Sequence, residues 1–483
     1  MNIREFSWVE EDLFLMADTN LIEKSENAKF SVCQMDKHPE PVLVPEQLWE
    51  GGDGKNPSPV QQDPLDGSIL YDLEQELFHC WYRIHSRLST ASDVGYAISK
   101  NGLHWEKPFV GLVPFGSSLK NNLIPICVPP IKTNHLSGVV PNHVAGIQAS
   151  LIATVYSHFD DPIYPSGITF LLSEDGFRWQ PHFPPVLPLD GDAHCLMWDP
   201  HQQCYLCTTR SYQHFQVLTR LQLKGMHQLR KKRHIALARS RDLIHWTPMV
   251  TVLEADENDP ENAELYLMYI IPYGNAYVGL VLLFYPDRTM TFGPLEVFLC
   301  FSRDGLVWQR VDRKTPILAR GQPGSWDQSH VTVCPGVPYP EGERMRFWFG
   351  GKNTEHWQAG YAGMGTATLR RDGFACWQAG SDEAVLTTVP LQVNWATWLF
   401  LNVDATSGQV QVEIVDADTG KPLQGTSRKD CQVITGNHLR APVVFGKERG
   451  SFVRHTGRIR LNFYLRKARL YSFKCPNVKI SSH

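Results

Sequence analysis

The sequence predicts an all-β protein that consists of a five-bladed β-propeller followed by a jelly-roll-like β-sandwich. Three observations lead to this prediction: a tryptophan motif that recurs along the chain, short apolar alternation around each copy, and longer alternating runs after the last copy. Repetition at a fixed period is typical of solenoids and propellers, so it indicates the architecture before any single strand is assigned.

The repeated motif places a serine, an Asn or Asp, and a tryptophan at fixed offsets. Four copies keep the full spacing: SKNGLHW at 99–105, SEDGFRW at 173–179, SRDLIHW at 240–246 and SRDGLVW at 302–308. A degenerate fifth copy, RRDGFACW, ends at Trp377, and the tryptophans recur about every 60 to 75 residues. Asn-Gly or Asp-Gly between alternating runs favours a tight hairpin, because the turn needs positive φ. Each copy therefore predicts the hairpin tip of a four-stranded blade, and five copies predict five blades.

The chain after Trp377 has a different pattern. The runs VNWATWLFLNV, QVQVEIVDA, RIRLNFYL and ARLYSF alternate over a greater length and are joined by TSG and DTG turns, which is typical of a β-sandwich. The predicted units are an N-terminal arm at 1–55 that packs on the others, a propeller at 56–380 and a sandwich at 381–483. The sandwich is either a carbohydrate-binding module or a structural unit. A hydrophobic core and a face that docks on the propeller are enough to explain its alternating strands.

Bulk composition excludes some partners. A formal net charge of −4 and a pI near 6.5 provide no general attraction for nucleic acid or an anionic membrane, so neither partner is expected. The acidic start MNIREFSWVEEDLF does not resemble a secretory signal, no later run is long enough for a membrane span, and we expect a cytoplasmic protein. Eleven scattered cysteines indicate reduced, buried thiols.

The one metal site that the sequence suggests is at Cys204 and Cys207. The pair lies in the strand-like run CYLCTTR, where a separation of three residues directs the side chains to opposite faces. One zinc ion would not easily bind both. The sequence therefore predicts no metal and no cofactor.

Propeller geometry indicates where a site would lie. The four strands of a blade, A to D, alternate in direction, so residues that open strand A or close strand B converge at one end of the channel. The candidates at this end are Asp63, Asp66, Arg83, Asn142, His143, Asp190, Asp192, His194, Arg210, Asp259, Glu261, Glu264, Tyr285, Asp327, His330, Lys352 and His356. Asp199, at the opposite end, is predicted to form a turn.

Convergent carboxylates, arginines and aromatic residues suit a sugar site. Cleavage of a glycosidic bond needs one protonated carboxyl group and one ionised carboxylate, with further polar groups on the ring hydroxyls. We predict sugar contacts from Arg83, His194, Arg210, Tyr285, His330 and His356. The alternative for each acid is structural, because acids at strand ends also cap backbone amides or pair with arginines.

Several segments resemble the superfamily of five-bladed propellers that includes arabinanases, levansucrases and invertases, and in particular its family-32-like and family-43-like bacterial proteins. The resemblance rests on EPVLVPEQLWE, NGLHWEKPFVGLVPFGSSLKNN, DAHCLMWDP, FGGKNTEH and RIRLNFYLRKARLYSF. It implies a base or nucleophile Asp, a supporting Asp and an acid Glu, which by position correspond to Asp66, Asp192 and Glu264, with Asp327 in reserve. The Asn-Asp-Pro-Asn and Arg-Asp-Pro signatures of the enzymes are missing here.

The insertion LKGMHQLRKKRHIA is predicted to overhang the same end of the channel. Its basic residues Arg230, Lys231, Lys232 and Arg233 either contact an anionic group on a substrate or form a solvated loop.

The leading hypothesis is a glycoside hydrolase that acts on a small oligosaccharide or furanoside. The alternatives are a phosphorolytic enzyme on the same scaffold, a non-catalytic carbohydrate-binding propeller, and a propeller that serves as a protein interaction platform.

Overall fold

The computed structural model describes residues 3–4, 6–55, 66–84, 94–126, 132–158, 167–188, 193–212, 232–287, 291–394, 396–446 and 453–480. In these residues the regular structure consists of β-strands and two short 3-10 helices, Leu48–Glu50 and Arg428–Asp430. The predicted all-β class is confirmed. No helix in this part of the chain is long and apolar enough to cross a membrane.

The strands are numbered in chain order. The N-terminal strands are β1 (Ile3–Arg4), β2 (Leu13–Leu15), β3 (Ile22–Glu26), β4 (Ala28–Val32) and β5 (Asp36–Lys37). The middle of the chain contains β6 (Gly67–Asp72), β7 (Leu77–Arg83), β8 (Val94–Ser99), β9 (Lys132–Pro141), β10 (Leu151–His158), β11 (Gly167–Ser173), β12 (Gln180–Pro188), β13 (His194–Asp199), β14 (Cys204–Tyr212), β15 (Arg233–Ser240), β16 (Val250–Leu253), β17 (Glu264–Tyr273), β18 (Ala276–Phe284), β19 (Leu295–Ser302), β20 (Gln309–Arg310), β21 (His330–Val333), β22 (Tyr339–Glu341), β23 (Arg344–Lys352) and β24 (Ala362–Arg370). The C-terminal strands are β25 (Ala375–Ala379), β26 (Ala384–Thr388), β27 (Leu391–Val393), β28 (Ala396–Thr397), β29 (Phe400–Asp416), β30 (Ile434–Pro442), β31 (Val453–Arg454), β32 (Gly457–Arg466), β33 (Arg469–Lys474) and β34 (Val478–Ile480).

Strands β6 to β24 form five antiparallel groups that follow one another along the chain: β6–β8, β9–β12, β13–β16, β17–β20 and β21–β24. The first three groups are separate sheets. The last two are joined into one sheet by a single parallel pairing of Leu295 with His330. Such consecutive meanders are what radial repetition of blades predicts.

Side-chain hydrogen bonds connect neighbouring groups around a ring. Most of these bonds join the first, inner strands of two adjacent groups, whereas Thr208 lies on β14 and Cys334 directly follows β21. The last bond connects the fifth group to the first. The contacts are Val139 N to Ser68 Oγ at 2.7 Å, Ser137 Oγ with His194 Nδ1 at 3.2 Å, Thr208 Oγ1 to Met268 O at 2.7 Å, the Tyr269 and Thr332 hydroxyl groups, and Gly67 N to Cys334 Sγ. The ring supports the blade count of five, which remains a prediction.

The repeated motif forms turns, as its sequence predicted. In each of four copies the serine Oγ accepts a hydrogen bond from the backbone N–H three residues later at 2.9 Å. The Asn or Asp side chain accepts from the backbone N–H groups two and three residues later, for example Asp304 from Leu306 and Val307 at 2.8 Å. The fourth motif position has positive φ, at 71° in Gly102 and 65° in Leu243. The acids of the motif are therefore turn formers.

His79 of β7 is buried beside Trp81 and Tyr96 of the same group, and it makes stability depend on pH. Its Nδ1 lies 2.5 Å from the Tyr96 hydroxyl group, and burial lowers its pKa from 6.5 to about 4. The unfolded chain binds a proton below pH 6.5 that the folded chain does not bind. We therefore expect the free energy of unfolding to fall by about 3 kcal/mol as the pH drops from 6.5 to 4.

Urea denaturation at pH 7 and pH 4.5 measures this loss. His79→Gln keeps a hydrogen-bonding side chain and cannot titrate, so its loss of stability between the two pH values is expected to be smaller. His104→Gln, at an exposed position, is the control and is expected to behave like the native protein. An equal loss in His79→Gln and the native protein would contradict the assignment.

The N-terminal strands pair with both parts of the molecule. β1 pairs with β6 and β5 with β24, whereas β2 pairs with β33 and β4 with β25. Between them, the Trp8 ring stacks on Tyr273 at 5.5 Å and its Nε1 donates to Pro338 O at 2.9 Å. The predicted unit boundaries at 55 and 380 remain a prediction, but the pairing shows that these residues contribute to more than one sheet.

Eight C-terminal strands and the N-terminal strands β2, β3 and β4 form an eleven-stranded sheet with a core of its own. Strand β29 runs for 17 residues, and it pairs with β30 and β33 in its first half and with β32 in its second half. The register shifts between Ala405 and Val410, where the strand bends. Phe463 and Phe473 are fully buried in this core.

Candidate functional site

Two predicted site residues lie at the ring of inner strands. His194 opens β13 and is 2 % exposed, with Nδ1 facing Ser137 Oγ. Asp66 directly precedes β6 and is close enough to Tyr269, a residue of the fourth group, to raise the pKa of its hydroxyl group, although burial is the larger cause. Asp66 also accepts at its backbone carbonyl from Arg83 N at 2.9 Å. The first, third and fourth groups thus contribute polar side chains to one ring.

A second set of residues, which includes the predicted Arg210, His330 and His356, surrounds the predicted Glu264 at the start of β17. We call it the rim cluster, and its members are Arg210, Arg233, Glu264, Tyr266, Phe284, His330 and His356. Glu264 is fully buried, and its Oε2 lies 2.5 Å from Arg233 Nη1. Arg233 opens β15, so the ion pair joins the third and fourth groups. Burying a carboxylate costs free energy unless a positive charge pairs with it, and Arg233 supplies that positive charge.

Tyr266 is the centre of the rim cluster. The register between β17 and β18 shifts between Leu265 and Leu267, so Tyr266 is the extra residue of a β-bulge. Bulges redirect side chains next to functional sites. The Tyr266 ring lies 4.7 Å from the Arg210 guanidinium carbon and 5.7 Å from that of Arg233, within the range of cation–π attraction.

His356 connects the rim cluster to the fifth group. Its Nδ1 lies 3.0 Å from Thr291 O, and its Nε2 lies 3.1 Å from the Tyr266 hydroxyl group. A carbonyl group only accepts, so Nδ1 carries the proton and Nε2 accepts from Tyr266. His330, 2 % exposed, opens β21 with its ring centroid 6.0 Å from that of His356.

The Phe284 ring packs against one side of the rim cluster. Phe284 ends β18 opposite Glu264, its ring packs against Tyr266 at 5.8 Å and His356 at 5.1 Å, and Arg233 lies over it at 5.1 Å. The rim cluster therefore combines a carboxylate, two guanidinium groups and apolar ring surface. Polar groups that converge beside aromatic walls are typical of small-molecule sites.

Two predicted residues lie elsewhere. Asp327 is 4 % exposed, and its carboxylate lies 2.5 Å from Nζ of Lys37. Lys37 belongs to β5, which pairs with β24 at the edge of the fifth group. Asp327 also accepts a hydrogen bond from Ser325 Oγ at 2.9 Å. Tyr285 follows Phe284, and burial and Glu296 raise its pKa to about 12. The structure does not bring either residue into the rim cluster, and their predicted roles remain untested.

Other candidates have structural contacts. Asn142 donates to two backbone carbonyls of its own turn, and the His143 ring stacks on Trp198 at 4.6 Å. Asp259 pairs with Arg313 at 2.7 Å. The predicted residues Asp63, Asp190, Asp192, Arg230 and Lys231 lie outside the described residues.

Sequence reasoning did not select Tyr266 or Phe284, and it placed Arg233 in a basic loop. No signal in the sequence marks the bulge at Tyr266, because ELYLMYII reads as an uninterrupted strand. Arg233 carried one usable signal, since it is the basic residue next to the apolar run that becomes β15.

Metal ligands do not gather in the described ranges, where no group of three or more His, Cys, Asp or Glu side chains is placed to hold an ion. Cys204 and Cys207 are buried thiols on β14, and burial raises the pKa of Cys207 to about 12. The absence of a metal and a cofactor remains a prediction.

No protein-family model matches the chain, and the search of curated protein sequences finds no match. Among solved structures, the chain is similar to an N-acetylgalactosamine deacetylase from F. plautii, solved with blood group B trisaccharide, at 14% identity over 76% of this chain and 96% of that one, with a TM-score of 0.41. It is similar to a glycosyl hydrolase from Bacteroides ovatus at 12% identity over 71% and 94% of the two chains, with a TM-score of 0.42.

A third similar structure is an exo-β-1,3-galactanase from Phanerochaete chrysosporium with β-1,3-galactotriose, at 10% identity over 91% of this chain and 100% of that one, with a TM-score of 0.38. Glycoside hydrolases are thus among the solved structures that the chain resembles, as the sequence resemblance implied. All three TM-scores are below 0.5.

Proposed function

We propose that the protein is a glycoside hydrolase that acts in the cytoplasm on an oligosaccharide or furanoside, at the channel end formed by the ring and the rim cluster. The observation that supports this proposal is the fully buried Glu264 carboxylate, held by Arg233 next to the Tyr266 and Phe284 rings. A sugar has polar edges and an apolar face, and this arrangement provides a partner for each.

The proposed roles follow the sequence assignment. Asp66 is the base or nucleophile, Asp192 supports it, and Glu264 is the general acid. The acid role requires the Arg233–Glu264 ion pair to open when substrate binds, because the carboxyl oxygen that faces Arg233 must face the leaving oxygen instead. Arg233 lies over the Phe284 ring while it pairs with Glu264, so the aromatic contact also stabilises the guanidinium group.

A second candidate is a carbohydrate-binding propeller without catalysis. The same ion pair favours it, because a Glu264 side chain that stays paired with Arg233 can accept hydrogen bonds from sugar hydroxyl groups but is not available to protonate a leaving group.

Sugar release from a broad panel of oligosaccharides and aryl furanosides and pyranosides tests the proposal. We expect the native protein to release sugar and Asp192→Asn to lose release by about 10²-fold or more. The matched control is Asp175→Asn, because Asp175 caps a motif turn and Asn101 occupies the same position in the first copy. Persistent release in Asp192→Asn would remove Asp192 from the chemistry, and saturable binding without release would favour the binding propeller.

A further inference from the structure

The loop between β23 and β24 holds an exposed tryptophan in an unusual backbone conformation. Trp357 has a φ of 61° and is 49% exposed. Residues with a β-carbon rarely adopt positive φ, and for a bulky side chain such a value is a genuine outlier. Neither backbone preference nor burial favours tryptophan at this position, where glycine would form the turn without strain.

Several hydrogen bonds keep the loop in this conformation. At its base, Asn353 N donates to Tyr361 O at 3.1 Å, and Tyr361 N donates to Asn353 Oδ1 at 2.9 Å. Lys352, whose side chain is fully buried, donates from Nζ to Gln358 O at 2.8 Å. The loop is thus closed at its base and anchored directly behind Trp357.

The loop is also packed too tightly to relax. A β-carbon at Gly360 would lie 2.1 Å from Thr354 Oγ1, so only glycine fits there. Thr354 Oγ1 in turn donates to Gln358 O at 3.2 Å. Strain persists where the surroundings over-determine a conformation, and such outliers cluster at ligand-binding sites.

Trp357 contacts the rim cluster through the ring of His356. The Trp357 ring contacts His356 at a centroid distance of 5.9 Å, and His356 contacts Tyr266 at 5.4 Å. Three rings therefore run from the surroundings of Glu264 to the solvent. Tyr361, 50% exposed, lies at the base of the same loop.

We propose that Trp357, with Tyr361 beside it, is a stacking platform for a sugar ring that lies outside the rim cluster, so that the protein prefers oligosaccharides to monosaccharides. This inference rests on the proposed function and specifies its substrate class. The indole ring offers a flat apolar surface for the face of a sugar ring, and the strained backbone presents that surface to solvent.

Calorimetric titration with neutral mono-, di-, tri- and tetrasaccharides tests the platform separately from turnover. Trp357→Ala is expected to weaken tri- and tetrasaccharide binding about tenfold and to leave monosaccharide binding unchanged. Trp357→Phe should retain most of the affinity. The control is Trp398→Ala, which removes a tryptophan of similar exposure, 42%, from the C-terminal strands.

Trp357→Gly separates a binding role from a structural one. Glycine relieves the positive φ, so we expect a higher Tm together with the same loss of oligosaccharide affinity. If Trp357 instead stabilises the fold, Trp357→Gly is expected to have a lower Tm than the native protein. Unchanged tetrasaccharide affinity in Trp357→Ala, or a lower Tm in Trp357→Gly, would overturn the platform.

The outcomes also separate this inference from the hydrolase proposal. Oligosaccharide binding that depends on Trp357 without sugar release retains the platform and removes the hydrolase. Sugar release with kcat/KM for tetrasaccharides unchanged in Trp357→Ala retains the hydrolase and removes the platform. Failure of the native protein to bind or cleave any member of the series overturns both.

Discussion

Replacing Glu264 by glutamine is expected to lower kcat about 10³-fold on substrates with poor leaving groups, the largest effect that we anticipate from a single substitution. Glutamine has nearly the same shape and still accepts a hydrogen bond from Arg233, but it cannot supply a proton. The loss of kcat therefore reports proton transfer, because the substitution leaves the packing around the fully buried side chain unchanged.

The leaving group provides an internal check on this role. A substrate whose aryl leaving group departs as a stable anion needs no proton, so Glu264→Gln should retain much more activity on a dinitrophenyl glycoside than on an unactivated oligosaccharide. Equal losses on both substrates would argue that Glu264 acts through Arg233 or through binding and not as the acid.

A matched substitution controls for removal of an ion-paired glutamate. Glu296→Gln changes a residue of the same group, which pairs with Arg320 and lies outside the rim cluster. Its kcat should stay within about twofold of native, since no transition-state interaction is removed. Circular dichroism and thermal denaturation of both variants establish that they are folded before kinetics are compared.

Glu50→Leu is expected to cost about 3–5 kcal/mol of unfolding free energy, the largest stability effect that the structure indicates. Glu50 is fully buried, its Oε2 lies 2.7 Å from Lys107 Nζ, and its Oε1 accepts from the Tyr82 hydroxyl group. Lys107 is only 8% exposed. Without Glu50, the ammonium group loses its buried counter-charge and keeps only the Val44 carbonyl at 2.7 Å and the partly exposed Glu46 carboxylate at 3.6 Å as described partners.

A double-mutant cycle shows whether the charge is the cause. Glu50→Leu/Lys107→Met removes both charges, and it should be more stable than Glu50→Leu alone, because a buried pair can be replaced by apolar side chains at little cost. Urea denaturation followed by tryptophan fluorescence measures both variants. A double variant as unstable as the sum of the two single variants would indicate that the hydrogen bonds of Glu50, and not the pairing with Lys107, stabilise the arm.

The repeat was predictable from the sequence because its cause is local. Serine and Asp side chains cap backbone amides two or three residues away, so the spacing that makes the turn is visible in SRDGLVW itself. The same holds for the all-β class, since strand alternation depends on neighbouring positions. The turn role predicted for Asp199 is confirmed as well, because its Oδ1 accepts from His201 N at 2.9 Å.

The site was only partly predictable, because its members come from different strand groups. Position at a strand end selected Glu264, Arg210, His330 and His356, and the structure brings these residues together in the rim cluster. The same rule selected Asp327, whose carboxylate instead pairs with Lys37, a residue 290 positions away. A position at a strand end does not reveal which way a side chain points.

The sequence by itself determined the strand class and the turn-forming repeat, since both depend on short-range spacing. Only the tertiary structure decided that Arg233 neutralises Glu264, that a bulge directs Tyr266 between two arginines, and that Trp357 is exposed in a strained turn. Charge pairing, strand register and exposure are set by segments far apart in the chain, so no local pattern encodes them.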